Sequence, residues 1–204
     1  MDSAPGIVTE SLRERAAAMV ERVSLECSAV LASGDVACIR AAVTAALRVR
    51  DETIASDHDP RYLHPARTVL ILLADVACRD ADVLAAAAFV ESLPGPTPRA
   101  DAVALTTRAR ALFTAVPLPD SAGDELLEQL VTAEPAVTCI AVAERLDHAR
   151  HLHLMSDVPA ASFHASIEAV YLPVAQRACP PLARRLERWA RAFARRRLGT
   201  GPGQ

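Results

Sequence analysis

The chain has 204 residues, a formal net charge of -3, and a composition that is 51% apolar but only 3% aromatic. This length favours one domain, with about 70% of the unfolded surface buried without staples. A dedicated nucleic-acid binder would show a basic excess, and no run reaches the ~18 uncharged apolar residues of a membrane span, so both classes are disfavoured.

The predicted elements are all helical. Residues 9–32 carry Leu12, Ala16, Val20 and Val23 at helical spacing. Gly34 and Asp35 break this helix, and Asp35 can cap a second that runs to about Ile54. Ser56 to Pro60 reads as a polar loop. A third helix starts near Leu63, tolerates Pro65 in its first turn, and runs to about Cys78. Asp80 or Asp82 caps a fourth over Val83–Glu91, which the proline-rich stretch from Leu93 to Pro98 ends. Further patterns cover about 99–115, 121–133, 136–155, 159–178 and 181–197, separated by prolines.

No stretch alternates with period two, so no sheet is expected. The partition is an N-terminal helix at 1–33, one helical domain at 34–198 and a disordered tail at 199–204. An aromatic-poor core built from Ala, Leu and Val suits closely packed helices. All 22 basic residues are Arg, and the chain has neither Lys nor Asn, a bias that lowers the weight of any Arg-rich stretch. Cys27, Cys38, Cys78, Cys139 and Cys179 are scattered and never in CxxC spacing, which reads as thiols of a reducing cytosol. With no basic leader followed by an apolar core, a cytoplasmic location is expected.

Two places carry chemistry: His64, and the group His148, His151 and His153. They coincide with motifs in family order. The run Pro60-Arg61-Tyr62-Leu63-His64-Pro65-Ala66-Arg67-Thr68-Val69 is followed by Leu84-Ala85-Ala86-Ala87-Ala88-Phe89-Val90-Glu91. Then come Ala143-Glu144-Arg145-Leu146-Asp147-His148-Ala149-Arg150 and Tyr171-Leu172-Pro173-Val174-Ala175-Gln176-Arg177, with Leu186-Glu187 beyond. Together, over roughly residues 40–194, these resemble the HD hydrolase domain of RelA/SpoT proteins, an all-α bundle. There the corresponding motifs read His-Pro-x-x-Val, Ala-Ala-Leu-Leu-His-Asp, Ala-Asp-Arg-Leu-His-Asn-Met-Arg and Tyr-Ala-Pro-Leu-Ala-x-Arg.

The resemblance implies two histidines and two aspartates around one divalent metal, usually manganese. That metal sets a water against the pyrophosphate ester of guanosine tetra- or pentaphosphate. Carried over position by position, the first histidine is His64, the His-Asp pair becomes Val90-Glu91, and the last aspartate becomes Glu144. A Glu-Asp pair that activates water and protonates the leaving group becomes Pro94-Gly95, the basic residue nine positions before the histidine becomes Ala55, and an asparagine becomes His148.

Val90 cannot ligate a metal, and the acid/base pair is gone, so the expected protein is a pseudo-enzyme without a resident cofactor, binding a guanine nucleotide or a protein partner. The alternative is a rebuilt site for Mn²⁺ or another divalent metal on His64, Glu91, Glu144 and His148, since both aspartates became glutamates and His148 lies one turn from Glu144. In the relic reading, His64 donates to a carboxylate and Arg67 or Arg145 neutralises it. Arg67, Arg145 and Arg150 are the candidates for ligand contact. Asp147, His151 and His153 read as a half-exposed helix end, with a surface metal or proton relay as the sharper option. In the last helix, Leu186, Trp189 and Phe193 form an apolar stripe docked on the body. Its arginines form a solvated face, with a phosphate or acidic-partner site as the functional reading.

Overall fold

Thr9 turns its hydroxyl back to accept the Leu12 N–H at 3.4 Å and starts α1 (Glu10–Ser28). The stripe Leu12, Ala16, Val20, Val23 and Cys27 is buried along one face of that helix. It packs on α2 (Ser33–Asp51) and on the helix His64–Asp75, so α1 contributes to the same core as the other described helices. The computed structural model describes residues 9–51, 59–91, 105–117, 123–155 and 158–197. Among these the regular elements are all helical, with no strand, and no helix is long and apolar enough to cross a membrane.

Asp59 accepts the Arg61 N–H at 2.9 Å and opens a 3₁₀ turn, Pro60–Leu63, that runs directly into α3 (His64–Asp75). Pro65 is harmless in the first turn, where its missing N–H would have had no intrahelical partner. The helix ends earlier than its sequence pattern suggests because Ala77 adopts a left-handed φ of 56°, letting the Cys78 N–H return to the Leu72 carbonyl at 3.0 Å. Asp80 then caps α4 (Ala81–Ala87) through the Asp82 and Val83 N–H groups at 3.0 and 3.3 Å. Beyond α4 the chain is non-helical and buried as far as Glu91.

α5 (Thr107–Ala115) and α6 (Gly123–Thr132) lead to α7 (Pro135–His151), which ends in a 3₁₀ turn, Leu152–Leu154, where the sequence pattern predicts continued helix. α7 is the axis of the fold and packs against α3, α4, α5 and the later helices Leu172–Ala178 and Pro180–Arg197. From Val137 to Ala149 nearly every side chain is buried, including Glu144, Arg145, Asp147 and His148. A helix surrounded on all sides has no solvent face. Its charged residues must find partners inside.

α8 (Ala160–Ser166), a π-helical turn at Ile167–Tyr171 and α9 (Leu172–Ala178) form one continuous rod. The widened turn precedes Pro173, whose ring and missing N–H disturb the regular i to i−4 ladder. α10 (Pro180–Arg197) buries Leu182, Leu186 and Ala190, with Trp189 and Phe193 half-buried against the core. Arg184, Arg188, Arg191, Arg195 and Arg196 are exposed. The predicted start of the fifth helix, at 99–104, and the tail at 199–204 lie outside the described residues.

Candidate cation cluster between α3 and α7

Four segments bring charge into the interior at one level. His64 opens α3, Val90 and Glu91 follow α4, and Glu144, Asp147 and His148 lie within one turn of α7. Arg50 reaches in from the last turn of α2. His64, Glu144, Asp147 and His148 are each no more than 2% exposed.

His64 donates its Nδ1–H to Asp147 Oδ2 at 2.8 Å. Arg67, one turn along α3, clamps the same carboxylate, with Nε 2.8 Å from Oδ1 and a terminal nitrogen 2.9 Å from Oδ2. This fork geometry satisfies both carboxylate oxygens. On the other side of the His64 ring, Nε2 lies 3.3 Å from the Val90 carbonyl and 3.3 Å from the Thr68 hydroxyl.

The second half of the cluster is built on His148. Its Nε2 is 2.8 Å from Glu91 Oε1 and 2.9 Å from Glu144 Oε1, so one N–H is shared between two buried carboxylates. Arg50 donates to the remaining Glu91 oxygen at 3.1 Å. Burial alone would lower the His148 pKa, but the two glutamates carry it up to about 9. Burial alone would raise the Glu144 carboxyl, but the His148 imidazolium brings it down to about 2. Glu91 is likewise held well below its ordinary range, against burial, chiefly by His148. Asp147 is lowered against burial by its hydrogen bonds from His64 and Arg67. At neutral pH, then, the carboxylates of Glu91, Glu144 and Asp147 face the cations of Arg50, Arg67 and His148, and the group compensates itself.

His64, Glu91, Glu144 and His148 offer ligand atoms that all lie within 4.8 Å of one another, so the buried cluster could hold a metal ion. The donor types suit a borderline divalent cation, and Asp147 behind His64 is the kind of outer carboxylate that orients a ligating imidazole. The ring orientation fits less well. The two imidazoles are stacked, with centroids 4.3 Å apart and planes within 11° of parallel. A metal lies in the plane of each imidazole it binds, and planes this nearly parallel meet only far outside the cluster. One ring must turn before both can ligate the same ion.

The remaining sequence candidates are dispersed. Arg145 is buried between the Phe163 and Tyr171 rings, 4.8 and 4.6 Å from their centroids, and donates to the Tyr171 hydroxyl at 2.9 Å, while its Nε has no hydrogen-bond partner among the described residues. Arg150 is exposed and sits 3.5 Å from Asp75, which Arg185 also contacts. Arg67, Arg150 and Arg185 line a cavity of about 350 Å³ that opens beside Asp147.

Asp147 itself is not at a half-exposed helix end: it is 1% exposed and committed to His64 and Arg67. His151 is half-buried and donates Nδ1–H to the Asp147 carbonyl at 2.8 Å, and His153 is exposed. Arg50 is the charge that sequence reasoning missed. It stands 41 residues from Glu91 at the end of an unremarkable amphipathic helix, and nothing local distinguishes it from its neighbour Arg48. No protein-family model matches the chain, and no curated protein matches it.

Proposed function

We propose that the chain is a non-hydrolytic HD-type domain, in which an internal imidazolium has taken over the role of a metal, and which acts by binding a guanine nucleotide or a protein partner. The observation that carries this reading is His148 Nε2 bridging Glu91 and Glu144 at 2.8 and 2.9 Å. Inward carboxylates need a cation, and here the chain supplies it. The motif order resembling RelA/SpoT hydrolase domains agrees with the helical setting and with the meeting of His64, Glu91 and Glu144. Val90, where a second histidine ligand would stand, and Pro94-Gly95, where an acid/base pair would stand, remove what hydrolysis requires. The cavity beside Asp147 is lined by Arg22, Arg67, Arg150 and Arg185 against Glu26, Asp75 and Asp147, and those arginines are the groups a phosphate-bearing ligand would meet there.

The test is elemental analysis of purified protein, with thermal melts in Mn²⁺ and in guanine nucleotides. Expected are no stoichiometric metal, no hydrolysis of guanosine tetraphosphate, and an upward shift of the melt with nucleotide or with a captured partner. One metal per chain, lost on His64→Ala, would overturn the proposal.

The second reading, a rebuilt metal site, is favoured by the four donor atoms within 4.8 Å. His64, Glu91, Glu144 and His148 would hold the ion, which as a Lewis acid would activate a water. His148 would first have to lose a proton held to about pH 9, so binding would release a proton and tighten about tenfold per pH unit between pH 7 and 9.

A further inference from the structure

The largest cavity described is not beside the ionic cluster. It has a volume of about 870 Å³ and lies where the end of α7 and its 3₁₀ turn meet the start of α8 and the outer half of α10. Ligand sites fall in the range of about 300–1,000 Å³. Leu152, Met155, Val158, Trp189 and Phe193 supply most of its wall. Arg150, His153 and Arg196 also line it, and all three are exposed, which puts them at its mouth.

Three features make this more than a dent in the surface. The aromatic wall is held in place: Trp189 and Phe193 stack at 5.0 Å, Phe193 stacks on His164 at 5.1 Å, and Phe163 meets Trp189 edge-on at 6.0 Å. His164 in turn donates Nε2–H to the Ala190 carbonyl at 3.1 Å, fixing the rings to α10. The lining is also polarised. Among the described residues that line it none is a carboxylate, and the only charged ones are Arg150 and Arg196. Arg150 has one long pair to Asp75 at 3.5 Å, and Arg196 pairs with no carboxylate among the described residues. Finally, among the described residues the inner wall carries no side-chain hydrogen-bonding group beyond the Trp189 indole. A purine or a sugar would have to find its partners on backbone groups or at the mouth, whereas methylene groups need none.

We infer that this cavity binds an amphipathic anion, specifically a fatty-acyl chain with a carboxylate head. The chain would lie against Leu152, Met155, Trp189 and Phe193, and the carboxylate would rest between Arg150 and Arg196. Met155, unbranched and polarisable, suits a flexible chain of variable length. The inference does not draw on the ionic cluster; Arg150 also borders the cavity beside Asp147, whereas Arg196 lines this one and not that.

Trp189 is the only tryptophan in the chain, so its emission reports on this wall alone. The experiment titrates the full chain with dodecanoate, dodecan-1-ol and dodecyltrimethylammonium, each below its micelle concentration, while following Trp189 fluorescence. Expected is a saturable change with dodecanoate, binding about tenfold weaker for the alcohol, and weaker still for the cation. Arg150→Ala with Arg196→Ala should bring dodecanoate down to the level of the alcohol, because both arginines are exposed and their loss leaves the core intact. Ala192→Phe, which fills the cavity, should abolish both responses, with circular dichroism confirming the fold. No saturable change with dodecanoate overturns the inference. So does equal binding of acid and alcohol, or binding that survives both sets of substitutions.

Discussion

Along α7, the turn that carries Glu144 and His148 and the turn that ends the helix face different surroundings. The first is enclosed by α3, by the segment after α4 and by Arg50, and Glu144, Asp147 and His148 there each meet an opposite charge. The second, Ala149 to Met155, borders the aromatic-walled cavity, where Trp189 and Phe193 are only half-buried and the arginines at the mouth are thinly paired among the described residues. The carboxylates and His148 of the first region have saturated their interactions internally, and the second region has not. Saturation argues for a structural or inherited role, since a ligand would first have to break contacts already made. A cavity of this size with an aromatic wall held by ring contacts argues for binding.

The sharpest way to break that comparison is His148→Ala. It leaves Glu91 and Glu144 buried together with their shared cation gone, a change expected to cost about 3–5 kcal/mol. In a chain of this length the melting temperature should fall by about 6–20 °C. Replacing the group as a whole (Glu91→Met, Glu144→Met, His148→Leu) should cost far less than the single substitution, because no charge is left unpaired. If the single change proves mild, the charges are not held as described.

The same pair makes stability depend on pH from both sides. Glu144 has a depressed pKa, so its contribution is present above its ordinary 4.5 and is lost as pH falls toward about 2. His148 has a raised pKa, so its contribution is full below 6.5 and is lost as pH rises toward about 9. Each limb amounts to about 3 kcal/mol, and because the two groups are partners it is one interaction lost by either route. Denaturant midpoints should therefore peak between about pH 5 and 6.5. A bound divalent metal would invert the alkaline limb, since the deprotonated imidazole ligates better. The exposed arginines of the cavity mouth should contribute no such dependence.

How much of this could be read beforehand differs between the two regions in the same way. The helices followed from apolar periodicity and proline punctuation, and the errors came at their ends. Ala77 stops α3 in a backbone conformation that alanine seldom adopts, so no residue announced it. The meeting of His64, Glu91, Glu144 and His148 rested on motif order, which encodes contacts between distant segments that periodicity cannot. Asp147 was misplaced because spacing along α7 was taken to imply one solvent face, and a helix buried all round has none. Arg50 was invisible for the reason that any long-range ion pair is: the chain separates its partners by a whole helix and loop. The cavity at the end of α7 was not foreseen, because its wall comes from three elements whose side chains each read as ordinary core.

Packing offers a third contrast, of intermediate size. Ala86 is fully buried in α4, where a row of alanines lets the neighbouring helices approach closely, so Ala86→Phe should overpack and cost about 3 kcal/mol or more. Ala192 lines the large cavity, so Ala192→Phe should be close to neutral, within ~0.5 kcal/mol. Urea denaturation of the two variants measures this directly. A large loss at Ala192 would mean that the space it borders is already filled.

The smallest expected effect lies at the hinge that sets the ionic cluster. Ala77, at φ 56°, lets the chain turn from α3, which carries His64, toward α4, beyond which Glu91 stands. A Cβ in that region costs about 1–2 kcal/mol, and glycine removes the cost while adding unfolded-state entropy of about 0.4–1 kcal/mol. Ala77→Gly should therefore stabilise by about 0.5 kcal/mol, or 1–2 °C in the melt. Its value lies in what it leaves alone. The turn is relieved without moving His64 or Glu91, so the pH limbs set by His148 and Glu144 should keep their positions while the whole curve rises. If the limbs shift as well, then the alanine is holding the two arms of the cluster apart, and the charges are less self-contained than their distances imply.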